Sequence, residues 1–196
     1  MPTAFLRCTL AAATAVVLAA CSTTPTTPTT PSGARAARTA PPAVSTARGA
    51  TIMLTPASGS LVSGKLVAAP IAGGVRITGE IGGLARGSTH AIHIHEKGDC
   101  SAADATSAGG HFNPAQQPHG RAGSGPHHGG DMDNIVADSS GVAHVDVRAL
   151  GVSLGGGATD IGGRAVVVHA APDDYATQPA GNAGARVACG VITLLP

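Results

Sequence analysis

Seven short segments in which apolar and polar residues alternate dominate the chain from residue 49 onward: Ala50–Leu54, Leu61–Ala68, Gly74–Ile81, Ala91–His95, Val142–Val147, Arg164–His169 and Arg186–Leu194. A period of two marks a strand with one face buried. Gly, Pro, Asn and Asp cluster between the segments, where turns need them. No window of about ten residues sustains a helical 3.6 period. Short strands separated by turn signals predict an all-β sandwich or barrel. Its core must be Val, Ile, Leu and Ala, because Phe112 and Tyr175 are the only aromatic residues after residue 48. So modest a core benefits from added cross-links.

The amino end has a different character. Residues 1–20 carry Arg7, no acid and an apolar stretch that ends in small residues, the pattern of a secretory signal. Leu18-Ala19-Ala20-Cys21 resembles the bacterial lipobox, which implies cleavage before Cys21 and a lipid on that cysteine. A plain signal peptide with an incidental cysteine is the alternative. Residues 21–48 are rich in Thr, Pro and Ala. They lack the apolar bulk to offset ordering entropy and are expected to form a disordered, extended tether. The domain is then residues 49–196, a size that suits one core. The expected location is a bacterial cell envelope, on the periplasmic side of a membrane or the outer surface of the cell membrane. The membrane partner is reached through the lipid on Cys21.

Charge narrows the partners. From Gly49 onward there are 8 basic residues against 11 acidic. No basic cluster suits a phosphate backbone, so nucleic acid is not expected as a partner. No apolar run reaches the roughly 18 residues that a spanning helix needs.

The domain holds two cysteines, Cys100 and Cys189. Outside the cytoplasm an isolated pair reads most simply as a disulfide, with free thiols or soft-metal ligands as alternatives. The bond would close a loop of about 90 residues, worth roughly 4–5 kcal/mol in the chain-entropy account.

All nine histidines lie after residue 48. His93 and His95 share one face of an alternating segment, about 6.6–7 Å apart along the chain, so both rings can converge on one ion. His111, His119, His128 and Asp131 follow in a Gly- and Pro-rich stretch with little apolar content. Three imidazoles and a carboxylate suit zinc, and ion binding would itself order such a loop. His169 ends the Val166-Val167-Val168 segment. His90 has the opposite parity to His93 and His95, His127 adjoins a candidate ligand, and His144 falls on another strand.

Together these motifs resemble the copper/zinc superoxide dismutase family. The resemblance is carried by His93-Ile94-His95-Glu96-Lys97-Gly98-Asp99-Cys100, Gly110-His111-Phe112-Asn113-Pro114, His128 with Asp131, His169, and Gly181-Asn182-Ala183-Gly184-Ala185-Arg186 leading to Cys189-Gly190. The steps of eight, nine and three from His111 to His119, His128 and Asp131 match the family's zinc loop. The resemblance implies an eight-stranded antiparallel Greek-key β-sandwich or flattened barrel with long metal-binding loops. It implies copper on His93, His95, His111 and His169, and zinc on His111, His119, His128 and Asp131, with His111 shared. It implies that Asp173 links a copper imidazole to a zinc imidazole, His93 to His119; Asp174 is the competing candidate.

The activity implied is dismutation of superoxide to dioxygen and hydrogen peroxide, in defence of the envelope. Copper would cycle between two oxidation states while zinc stays inert. His111, released from reduced copper and protonated, would act as a general acid. Arg186 matches the family's anion-guiding arginine. Sixteen residues separate His169 from Arg186, with Asp173 and Asp174 as their only charges. The longer charged guidance loop of many eukaryotic members is therefore absent, and Lys97 is expected to share in guiding the anion. Family dimers use different faces in different branches and some members are monomers, so a homodimer is left open. A non-catalytic copper/zinc-binding envelope lipoprotein, acting as a metal buffer or chaperone, is the alternative function; the complete copper set and Arg186 argue against it. A copper-only relative would lack His119, His128 and Asp131. A zinc hydrolase would need an open zinc position and a general base, and neither is found.

Overall fold

A computed structural model describes residues 44–196. The expected signal segment, Cys21 and the tether up to residue 43 lie outside the described residues. Nine strands follow in order: β1 Ala50–Pro56, β2 Ser63–Ile71, β3 Gly74–Gly82, β4 Thr89–His90, β5 Ile92–His95, β6 Ile135–Val136, β7 Ala143–Leu150, β8 Ala165–His169 and β9 Arg186–Leu194. One short 3-10 turn, Thr106–Ala108, is the only helical element among the described residues. All seven alternating segments of the sequence become strands, and the two-residue β4 and β6 are additions too short to leave a period.

Seven strands form one antiparallel sheet in the order β5-β8-β9-β1-β2-β3-β7, and β4 pairs with β6. The small ladder ties the two edges together. One residue separates β4 from β5, and an Ala137–Ala143 bridge joins the end of β6 to β7. The sheet therefore curls on itself with Ile52, Leu66, Ile77, Ile81, Ile92 and Ile192 wholly buried inside. Strand β7 shows the pattern cleanly: Ala143, Val145, Val147 and Ala149 face inward, and His144, Asp146 and Arg148 face out.

Strands β5 and β8 depart from that alternation, since every residue in both is buried. Ile92, Ile94, Val166 and Val168 belong to the main core. The opposite face of β8 carries Ala165 and Val167, which pack with Ala57, Ala105, Ala108 and Cys189 in a second, smaller core. Loops thus cover the outer face of these strands, and His93, His95 and His169 are trapped beneath them.

A Cys100–Cys189 disulfide joins the covering loop to β9, with Cα atoms 5.7 Å apart. That separation is ordinary for such a bond. Ahead of Gly49, the Thr46 and Ala47 amides donate to the Leu154 carbonyl, and Ser45 Oγ accepts from the Leu154 amide. Contact with the domain therefore begins within the stretch read as tether.

Candidate metal centre

His93 pairs with Val167 and His95 with Ala165 across the β5–β8 ladder. The third segment of the site is tied on by backbone bonds. Phe112 N–H donates to the Ile94 carbonyl, Ile94 N–H to Gly130, and Gly130 N–H to Phe112, each at 2.8–2.9 Å. This ring of three bonds brings the His111 and His128 segments to β5. A β-carbon on Gly130 would collide with the Ile94 carbonyl, which accounts for the glycine.

The donor atoms of His93, His95, His111 and His169 lie within 4.8 Å of one another, and so do those of His111, His119, His128 and Asp131. All seven residues are buried. Which nitrogen of each ring faces inward is decided by what the other nitrogen does. His93 Nε2–H donates to Asp173 Oδ2 at 2.9 Å, leaving Nδ1 without a partner. His95 Nδ1–H donates to the Gly109 carbonyl at 2.9 Å, and His169 Nδ1–H to the Gly184 carbonyl at 3.3 Å. Their Nε2 atoms then face each other at 3.4 Å. His111 Nε2, in the same group, also lacks a partner.

Burial pushes the His93 ring down to about 4 against the pull of Asp173. It takes His95 to about 2 and His169 to about 3. The His93, His95 and His169 rings, neutral and with their protons spent on outer partners, direct lone pairs at the point that His111 Nε2 also approaches. Such an arrangement is repulsive unless a cation occupies that point, so the four nitrogens fit a copper ion.

The other group is built around one oxygen. Asp131 Oδ1 stands 2.8 Å from His111 Nδ1, 3.0 Å from His119 Nδ1 and 3.3 Å from His128 Nδ1. Asp131 Oδ2 accepts the Gly120 and His128 amides at 3.1 and 2.8 Å. Burial opposes the charge of Asp131, but contacts with His111 and His119 and these amides hold its pKa well below the carboxylate range. Three nitrogens and a carboxylate oxygen, all from buried residues, are a donor set that suits zinc.

Asp173 is shared by the two groups. Its Oδ1 accepts from His119 Nε2–H at 2.9 Å while Oδ2 holds His93. Gly181, at φ +66°, passes so close that a β-carbon there would strike Asp173 Oδ1 and approach His119 Nε2. Asp174 is exposed and caps the Ala176 and Thr177 amides instead. The remaining histidines stand apart from both groups. His90 Nδ1–H donates to the His169 carbonyl at 2.8 Å, His127 to the His128 carbonyl at 2.7 Å, and His144 is exposed beside Glu80.

A cavity of about 420 Å³ opens onto the centre and is lined by His95, His111, His128, His169 and Arg186, with Pro179 and Ala180 on one wall. The Arg186 guanidinium donates to the Ala105 and Gly109 carbonyls, each at 2.6 Å. Neutral acceptors orient the guanidinium without cancelling its charge. Lys97 is not among the lining residues. Its amide donates to Ala108, and its charge faces Asp99.

Sequence reasoning does not find three further contributors. Gly109 supplies the carbonyl shared by His95 and Arg186. Asn134 and Gln178 bond to the backbone of Asp173 and His119. An amide side chain in a turn carries no spacing signal, so nothing in the chain singles these residues out.

The sequence model described as copper/zinc superoxide dismutase (SODC) matches residues 62–192. Superoxide dismutase [Cu-Zn] 1 of Aquifex aeolicus is 45% identical over 123 residues, covering 61% of this chain and 73% of that protein. Superoxide dismutase [Cu-Zn] of Caulobacter vibrioides is 46% identical over 125 residues, covering 61% and 71%. Among solved structures, a SOD-like protein from Bacillus subtilis superposes with a TM-score of 0.66 at 35% identity, covering 72% of this chain and 97% of that one. The clock protein EA4 superposes with a TM-score of 0.68 at 36% identity, covering 77% and 97%.

Proposed function

Because this chain belongs to the copper/zinc superoxide dismutase family, whose reaction turns two superoxide anions and two protons into dioxygen and hydrogen peroxide, we propose a division of labour among its buried histidines. His93, His95, His111 and His169 hold copper. His111, His119, His128 and Asp131 hold zinc. One observation carries this reading: His111 belongs to both ligand groups, with Nε2 in one and Nδ1 in the other.

Copper supplies a one-electron couple able to oxidise one superoxide and reduce the next, and zinc supplies a fixed positive charge. The chain's own residues do the rest. Arg186 draws the anion into the cavity and holds it beside the copper group. Asp173 keeps the His93 and His119 rings in the tautomer that presents Nδ1 inward. His111 lines the cavity, so its Nε2, once free of copper, would hold a proton within reach of an anion beside Arg186.

Metal analysis of the purified protein with a superoxide assay, before and after chelation, tests the assignment. Two metals per chain and loss of turnover on chelation are expected. His111→Ala should weaken zinc retention as well as copper; unchanged zinc binding in that variant would overturn the shared role. Metal without turnover would favour a buffer or chaperone.

The same proposal extends to location. Cleavage before Cys21 and lipidation of that residue would anchor the domain in a bacterial envelope on a Thr/Pro-rich tether. A signal-like leader supports this, as does a disulfide that needs an oxidising compartment. Superoxide is an anion that crosses bilayers poorly, so an enzyme outside the cytoplasm guards its own compartment. Detergent-phase partitioning of wild-type protein and its loss in Cys21→Ala check the anchor; equal partitioning would remove it.

A further inference from the structure

We propose that Gln178 is a positioning residue for the zinc group, acting as a two-point clamp on the backbone of His119; the inference rests on the metal assignment above. Gln178 Oε1 accepts the His119 amide at 2.8 Å, and Gln178 Nε2 donates to the His119 carbonyl at 2.9 Å. A single carboxamide thereby satisfies both polar groups of a buried peptide position that belongs to no strand. This is the pairing a neighbouring strand would provide, delivered by one side chain from 59 residues away.

The clamp has a counterpart running the other way. Asn134 Oδ1 accepts the Asp173 amide at 2.8 Å, and Asn134 Nδ2 donates to the Asp173 carbonyl at 2.9 Å. The His119 stretch is thus pinned by the loop after β8, and that loop is pinned by the end of the metal-binding loop. Between the two clamps lies the bond from His119 Nε2–H to Asp173 Oδ1. Gln178 therefore sets how far the His119 ring reaches. Its Nε2 must meet Asp173 while its Nδ1 meets the group formed with Asp131. The segment 174–181 is also closed on itself, with the Gly181 amide on the Thr177 carbonyl at 2.7 Å and the Asp174 amide on Gly181 at 3.0 Å. A short, self-braced loop suits a clamp, because little of the restraint is lost to loop motion.

The experiment uses the copper- and zinc-loaded protein and follows zinc release to a chromogenic chelator. Gln178→Met, close in volume but unable to make either bond, should release zinc about tenfold faster or more. Gln178→Glu keeps the acceptor but sets a carboxylate oxygen against the His119 carbonyl, and should also release zinc faster than wild type. Cobalt placed in the zinc position should show a shifted visible spectrum in Gln178→Met, which general loosening of a distant loop would not produce. Zinc release at the wild-type rate with an unchanged cobalt spectrum overturns the proposal. So does a fall in melting temperature that is equal with and without metal while release is unchanged. If Gln178→Met does not fold, Gln178→Glu decides alone by the same two readouts. His119→Ala separates this failure from that of the assignment itself: a wild-type protein holding no zinc that His119→Ala loses refutes the metal reading, whatever Gln178 does.

Discussion

His95 and Arg186 hang from one atom: the Gly109 carbonyl oxygen accepts the His95 Nδ1–H at 2.9 Å and an Arg186 guanidinium N–H at 2.6 Å. A ring of the first histidine group and the guanidinium proposed to attract the substrate are therefore set by the same peptide. Gly109 lies at φ +75°, in the left-handed region, and a β-carbon there would strike the Glu96 carboxylate. Gly109→Ala should cost about 1–3 kcal/mol of stability and lower turnover with it. Denaturant unfolding and steady-state assays of the loaded protein check both, and full activity would show that the site does not depend on the strained placement of this peptide.

Arg186 faces an opposing charge. Asp104 and Arg186 line one cleft of about 220 Å³ beside the main cavity. Arg186→Ala should lower the bimolecular rate by about tenfold and flatten its dependence on salt. Asp104→Asn should raise the rate at low ionic strength and lose that advantage at high salt. Lys97→Ala should lower the rate and flatten its salt dependence by less than Arg186→Ala, because Lys97 lies outside the lining and can guide only from a distance. Rates measured across a salt series decide among the three.

Metal removal should expose how much of the loop structure depends on the ions. At free metal about a thousandfold above the dissociation constant, binding contributes about 4 kcal/mol. Chelation should therefore lower the melting temperature by about 10 °C or more in a chain of this size. Calorimetry before and after dialysis against chelator makes the comparison. An unchanged melting temperature would mean that neither ligand group is filled in the purified protein.

The disulfide should matter to both stability and the site. Cys100→Ser should lower the stability of the metal-free domain by about 4 kcal/mol. It should also reduce turnover, since the loop held by Cys100 carries the Ala105 carbonyl that orients Arg186. Urea unfolding and the loaded-enzyme rate give the two readings.

Asp160 predicts a pH effect away from the metals. Its carboxylate accepts the amides of Gly155, Gly156 and Gly162 at 2.7–2.8 Å. Burial works against its charge, but these bonds win and lower its pKa in the fold. A lowered pKa stabilises the native state above the unfolded value of about 3.9. That contribution fades as pH falls through the folded value. Asp160→Asn should therefore be less stable than wild type at neutral pH, and the difference should shrink on acidification below about pH 4. Melting curves of the metal-free proteins from neutral to acid pH test the sign.

Much of this protein is legible in its chain because the relevant signals are local. A period of two is a property of neighbouring residues, so all seven long strands could be read. The same parity puts His93 and His95 on one face, and the fixed steps from His111 to Asp131 mark one loop. What the chain alone does not contain is the orientation of each ring. His93 presents Nδ1 because Asp173 occupies its other nitrogen, while His95 presents Nε2 because Gly109 does. Those partners come from separate loops, and their meeting depends on how the curled sheet and the disulfide bring loops together. The amide clamps of Gln178 and Asn134 belong to the same class. A carboxamide can bond to any peptide it reaches, and reach is decided only once the tertiary structure has closed.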